Sequence, residues 1–133
     1  MLLVPFLVGT TFFAALPVYA TPIVLQADEV PRFWMGLAAA GTAGLALGLL
    51  SGGPPNGMSL VVACTFVGAS LNGIFYAIPE PDIEEPWYFD VALVAVNFAY
   101  MFSPAVVGLV LAWLAHSLLG WLLRRDVPQP PAR

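Results

Sequence analysis

The chain has 133 residues, 60% of them hydrophobic and 9% charged, with a net charge of −4 and a mean hydropathy of +0.89. A water-exposed globular surface needs roughly a quarter of its residues charged, so composition excludes an ordinary soluble domain. It also excludes a disordered chain, which needs low hydrophobicity, and a basic nucleic-acid-binding surface. The charges are clustered: segments 1–27, 33–79 and 91–123 carry none. Long uncharged apolar blocks between short charged links are the pattern of membrane spans, because a charge at the bilayer centre costs at least about 2.5 kcal/mol.

A span needs about 20 apolar residues to cross about 30 Å of hydrocarbon. Four candidates follow in chain order. The first is Leu2–Leu25. Its segment Val18-Tyr19-Ala20 resembles a cleavage site, but no basic region precedes the apolar stretch, so the reading is a retained span. The second is Phe33–Leu50, entered through the Gln26–Arg32 link with Asp28, Glu29 and Pro31. Ser51–Gly57, SGGPPNG, is a dense run of turn formers that lacks the lysine of a phosphate-binding loop. The third span is Ser59–Ile78, containing Cys64, the single cysteine, read as a packing residue.

The last block, Val91–Leu123, is too long. From Trp87 to Arg124 a straight helix measures about 56 Å, nearly twice the hydrocarbon thickness. Either Val91–Ala112 crosses and Trp113–Arg125 continues along the inner interface, or Pro104–Leu123 crosses and Val91–Ser103 is tilted or re-entrant. Pro104 predicts a kink between the halves. The expected fold is therefore all-α: a single four-helix transmembrane domain over 1–126 with a proline-rich tail at 127–133. Three of the four arginines lie at the C-terminal end, which places both termini in the cytoplasm of a multi-pass protein, read as one of the bacterial inner membrane.

The clearest pattern is a ladder of small residues at four-residue spacing. Span two carries Gly36, Ala40, Gly44 and Gly48; span three Thr65, Ala69, Gly73 and Ala77; the last block Gly108, Ala112 and Gly120, with His116 on the intervening step. Such ladders are grooves that let helix backbones approach in lipid. The spacing leaves open whether a helix of this chain or another subunit fills them.

Polar residues inside the spans are few: Thr10, Thr11, Gln26, Thr42, Thr65, Ser70, Asn72, Asn97, Tyr100, Ser103 and His116. Asn72 and Asn97 are expected to bond between helices, with pore lining as the alternative. Asn97, Tyr100 and Ser103 are placed to satisfy carbonyls freed by Pro104. No catalytic triad, paired zinc histidines or EF-hand spacing occurs, so the chain reads as a non-enzyme with no metal site. The outer loop 79–90 holds Glu80, Asp82, Glu84, Glu85 and Trp87; it is either a solvated acidic cap or a docking loop for a basic partner.

The string from Ala112 through His116 to Trp121 resembles the pigment-binding helix of purple-bacterial light-harvesting antenna polypeptides, over about a dozen residues. Those polypeptides carry an alanine four residues before the ligand histidine and aromatics after it. The resemblance implies bacteriochlorophyll or haem held by His116, with Ala112 leaving room for the macrocycle. Antenna polypeptides have one span where four are expected here. The alternative for His116 is an interhelical hydrogen bond or an interfacial position.

Three functions are thus in competition. The first is a non-catalytic accessory subunit of a larger membrane complex of the photosynthetic or respiratory kind, packed against other integral subunits and lipid through its small-residue faces. The second is a tetrapyrrole-binding subunit. The third is a homo-oligomeric channel or carrier.

Overall fold

The computed structural model describes residues 2–20, 26–76 and 87–125. Over them the chain is helical: α1 (Leu3–Tyr19), a 3-10 turn at Ala27–Glu29, α2 (Val30–Leu50), α3 (Pro54–Tyr76) and α4 (Trp87–Arg125). Ala77, the acidic residues Glu80, Asp82, Glu84 and Glu85, and the 127–133 tail lie outside the described residues.

Local chemistry sets the helix ends. Pro31 stands in the first turn of α2, and Pro54 and Pro55 open α3, positions where a missing backbone N–H costs nothing. The turn before α2 is tied by the Gln26 N–H donating to a Glu29 carboxylate oxygen (3.1 Å) and the Glu29 N–H donating to the Gln26 carbonyl (3.1 Å). α2 ends at Ser51, followed by Gly52 at φ +70°, a left-handed conformation that favours glycine. α1 is 17 residues with Pro17 inside it, and it closes in extended backbone at Ala20.

Ala27–Leu50, Pro55–Ile74 and Val91–Arg124 are long and apolar enough to cross a bilayer; α1 is apolar but shorter. α4 runs through Pro104 without interruption, so neither half forms a separate re-entrant element. Pro104 lies opposite Gly41, whose bare backbone leaves space there. The carbonyl that Pro104 leaves without its helical N–H is that of Tyr100; the three residues expected to serve it bond elsewhere, Ser103 to the Ala99 carbonyl at 2.9 Å, Asn97 to Asn72 and the Tyr100 hydroxyl to Phe33.

Short links make consecutive helices antiparallel, yet the closest packing is between alternate ones. α2 packs most extensively on α4, and α1 on α3; α3 and α4 join the two pairs. Each close pair runs parallel. Gly36 faces Tyr100, Gly44 faces Ala105, and Gly48 faces Ala112 along α2 and α4. Gly9 faces Cys64, and Gly68 faces Phe13, along α1 and α3.

The reason lies in where the small residues sit. A methyl placed on Gly44 would collide with the Ala105 backbone, and one on Gly108 with the Gly41 carbonyl. The two backbones therefore touch through reciprocal glycines, the geometry that small residues permit in lipid. Gly36, Ala40, Gly44 and Gly48 are all buried by this chain's own helices, as are Ala69, Gly73, Gly108 and Ala112. What fills the α2 ladder is thus internal, and these faces are not available for a second subunit. Gly120 departs from the pattern: a methyl there would meet nothing within 4 Å among the described residues.

α2 is about 31 Å long and α4 about 58 Å. With Gly36 level with Tyr100 and Gly48 level with Ala112, α2 accompanies α4 only to about Leu114. Beyond it Leu118, Leu119, Leu122 and Leu123 are exposed.

Gly44→Leu and Gly108→Leu should each destabilise the bundle by about 3 kcal/mol, the upper range for overpacking, because backbone cannot move aside as a side chain can. Gly120→Leu should be neutral. Reversible unfolding in mixed detergent micelles reads the difference; equal stability of Gly44→Leu and wild type would contradict this packing.

Candidate functional site

The polar groups come first, because a transport path or catalytic centre would need them. Most are already engaged. The hydroxyls of Thr11, Thr42, Ser59, Thr65 and Ser70 each donate to the carbonyl four residues earlier, at 2.7–2.9 Å. The Tyr100 hydroxyl donates to the Phe33 carbonyl at 2.6 Å, joining α4 to the start of α2, with the two rings 5.3 Å apart.

Asn97 and Asn72 meet in the middle of the bundle. Asn97 Nδ2 donates to Asn72 Oδ1 (3.0 Å), and Asn72 Nδ2 donates to the Ala14 carbonyl (3.2 Å). The chain of amides crosses α4, α3 and α1, and both side chains are 2% exposed. This is the interhelical bonding anticipated from the sequence, and it makes the pair a clamp. Buried oxygens on Thr10 and Asn97 have no partner.

Among the described residues, no three His, Cys, Asp or Glu side chains approach closely enough to hold a metal ion. Cys64 is buried, with its thiol 3.6 Å from the Phe6 carbonyl.

His116 is exposed on α4, just past the end of α2. It lines a cavity of about 120 Å³ with Ala112, Trp113, Ser117, Gly48 and Leu49, closed on one side by Gly52 and Gly53 of the α2–α3 turn. Ala112 is 2% exposed, and a methyl on Gly48 would come within 2.8 Å of its Cβ. The helix face before His116, which the antenna resemblance leaves open for a macrocycle, is therefore covered by α2.

A second concavity opens between α1 and α2. It has a volume of about 630 Å³ and is walled by Val4, Pro5, Val8 and Phe12 on one side and Ala39, Ala43, Ala46 and Leu50 on the other. The α2 wall repeats at intervals of four, three and four residues, the spacing of a coiled-coil seam. That signal was present in the sequence, masked by the stronger glycine ladder on the adjacent face. Trp113 lines the smaller cavity, a role that no spacing in the sequence signals.

No known protein family, curated protein or solved structure matches this chain.

The amide clamp predicts coupling. In a double-mutant cycle of Asn72→Leu and Asn97→Leu, unfolding in micelles should give an interaction energy of about 0.6–1.7 kcal/mol. Strict additivity would show that the amides do not bond.

Proposed function

We propose that the chain is a non-catalytic subunit of a larger membrane assembly, receiving a transmembrane helix of its partner in the groove between α1 and α2. The groove is the observation that carries this reading. It is open and almost wholly apolar, and its α2 wall is built of alanines at the spacing with which helices interdigitate. A partner helix there gains dispersion contacts on both walls. The glycine faces, already closed within the chain, take no part.

In this reading all four helices cross the membrane. The bundled stretch of α4 crosses alongside α2, and Arg124 and Arg125 hold the C-terminal end in the cytoplasm. The N-terminus then lies on the same side. A homo-oligomeric carrier finds less support, since most of the intramembrane hydroxyls bond to their own helices and Asn97 bonds to Asn72. The acidic loop keeps its place as a second docking element for a basic partner.

Affinity purification in a mild detergent from native membranes should bring down a stoichiometric integral membrane protein. Ala43→Phe with Ala46→Phe, which fills the groove from exposed or half-buried positions, should reduce its recovery at least tenfold while leaving the unfolding midpoint within the range of surface substitutions. Undiminished recovery of the partner with the filled groove would overturn the reading, as would a chain that purifies alone.

A further inference from the structure

α4 has more apolar length than either a bilayer or its own bundle covers. Its uncharged stretch, 91–123, is about 50 Å long as helix, against about 30 Å of hydrocarbon. Tilting relieves only part of the excess. At about 40°, the upper end of observed tilts, the path through the hydrocarbon is about 39 Å, or about 26 residues, and about seven remain outside. The bundle ends short of them as well. α2 stops at Leu50, level with about Leu114 of α4, and the first turn of α3 lies at the same end, with Gly57 against Leu109.

The exposed side chains follow a pattern. Val107, Leu111, Leu114, Leu118 and Trp121 succeed one another at steps of four, three, four and three, and each is between 50% and 61% exposed. That is the spacing of a coiled-coil seam. The buried residues of the same stretch, Ala105, Gly108, Leu109 and Ala112, fall on the opposite side of the helix. The seam therefore points away from α2 and α3, and it runs from the bundled stretch into the overhang without changing face.

Within the bilayer, lipid is sufficient cover for such a face. Past the hydrocarbon the same row of large apolar side chains meets water, where it is driven to find protein. Spacing alone names no occupant, but depth and direction do. Copies inserted in one membrane point the same way and sit at the same height, so two α4 helices meeting on this face are parallel and in register. Each layer then meets its own counterpart, Leu114 on Leu114 and Leu118 on Leu118, while the two bundles stand on opposite sides of the contact. The seam carries no charge through Trp121; Arg124 and Arg125 follow only at the helix end, where water and salt screen their repulsion.

The available area sets the strength. The five seam residues with Val110 and Leu122, all at least 40% exposed, lose on the order of 50 Å² each when covered, about 700 Å² for two copies. That is under the roughly 1,200 Å² of stable soluble complexes. The bilayer lowers the requirement, because orientation and depth are fixed before the copies meet. A reversible dimer is what such a contact supports.

We propose that the outward face of α4 pairs with the same face of a second copy of this chain, forming a parallel two-helix seam from Val107 to Trp121. The pairing leaves the α1–α2 groove open and holds whatever fills it.

The test is oxidative cross-linking of the full chain in native membranes, in a Cys64→Ala background, with adducts identified by mass spectrometry. Leu114→Cys, Leu118→Cys and Trp121→Cys should each give a covalent homodimer. Leu119→Cys and Leu123→Cys, as exposed but on another face, should give about fivefold less. Leu114→Ala with Leu118→Ala, both at exposed positions, should weaken association about tenfold in vesicles at fixed protein-to-lipid ratio, read by energy transfer between labelled copies, with the unfolding midpoint unchanged. Ala43→Phe with Ala46→Phe should leave the homodimer intact, which separates this pairing from occupation of the groove. Absence of a homodimer, equal yields on and off the seam, adducts to a different protein at the seam positions, or a leucine double variant that associates as wild type would each overturn the proposal.

Discussion

Two backbones in contact, α2 against α4, organise this molecule. In lipid there is little to gain from hiding apolar side chains from one another, so the attraction between helices depends on how many atoms approach to van der Waals distance. Reciprocal glycines at Gly44 and Gly108 let α2 and α4 touch along the Gly41–Gly44 and Ala105–Gly108 stretches. A similar but less severe arrangement brings α1 to α3 at Gly9 and Gly68. The topology follows: antiparallel consecutive helices whose tightest contacts skip one place in the chain.

Polar groups then refine what packing has set. The Asn97–Asn72–Ala14 bridge ties α4, α3 and α1, and the Tyr100–Phe33 bond ties α4 to α2. α4 is joined to both of the helices it packs against. The hydroxyls are mostly turned back on their own helices. An interior arranged this way is suited to holding shape, which leaves the surface grooves and the helix ends as places for interaction.

The helices and the small-residue faces were legible in the sequence because both follow from periodicity. Gly36, Ala40, Gly44 and Gly48 share one face whatever surrounds them. What fills that groove was not legible, since spacing defines an empty surface and says nothing of its occupant. For the same reason the stripe was over-extended to Gly120: four-residue steps continue past the end of α2, where a methyl would meet none of the described residues. Asn72 and Asn97 were readable because a buried amide in lipid has few alternatives to another helix. The burial of Ala112 was not, because a small residue before a histidine looks the same whether it faces open space or Gly48. The choice between two crossing segments in α4 depended on where α2 lies, a tertiary fact.

The most direct measurement places cysteines at Gly48 and Ala112, Gly48→Cys with Ala112→Cys, in a Cys64→Ala background, and oxidises the chain in native membranes. The account predicts a disulfide within one chain, running as a monomer on a non-reducing gel and shifting on reduction. A covalent dimer, or no cross-link while other α2 positions pair between chains, would show that the glycine face of α2 meets another subunit and contradict the account.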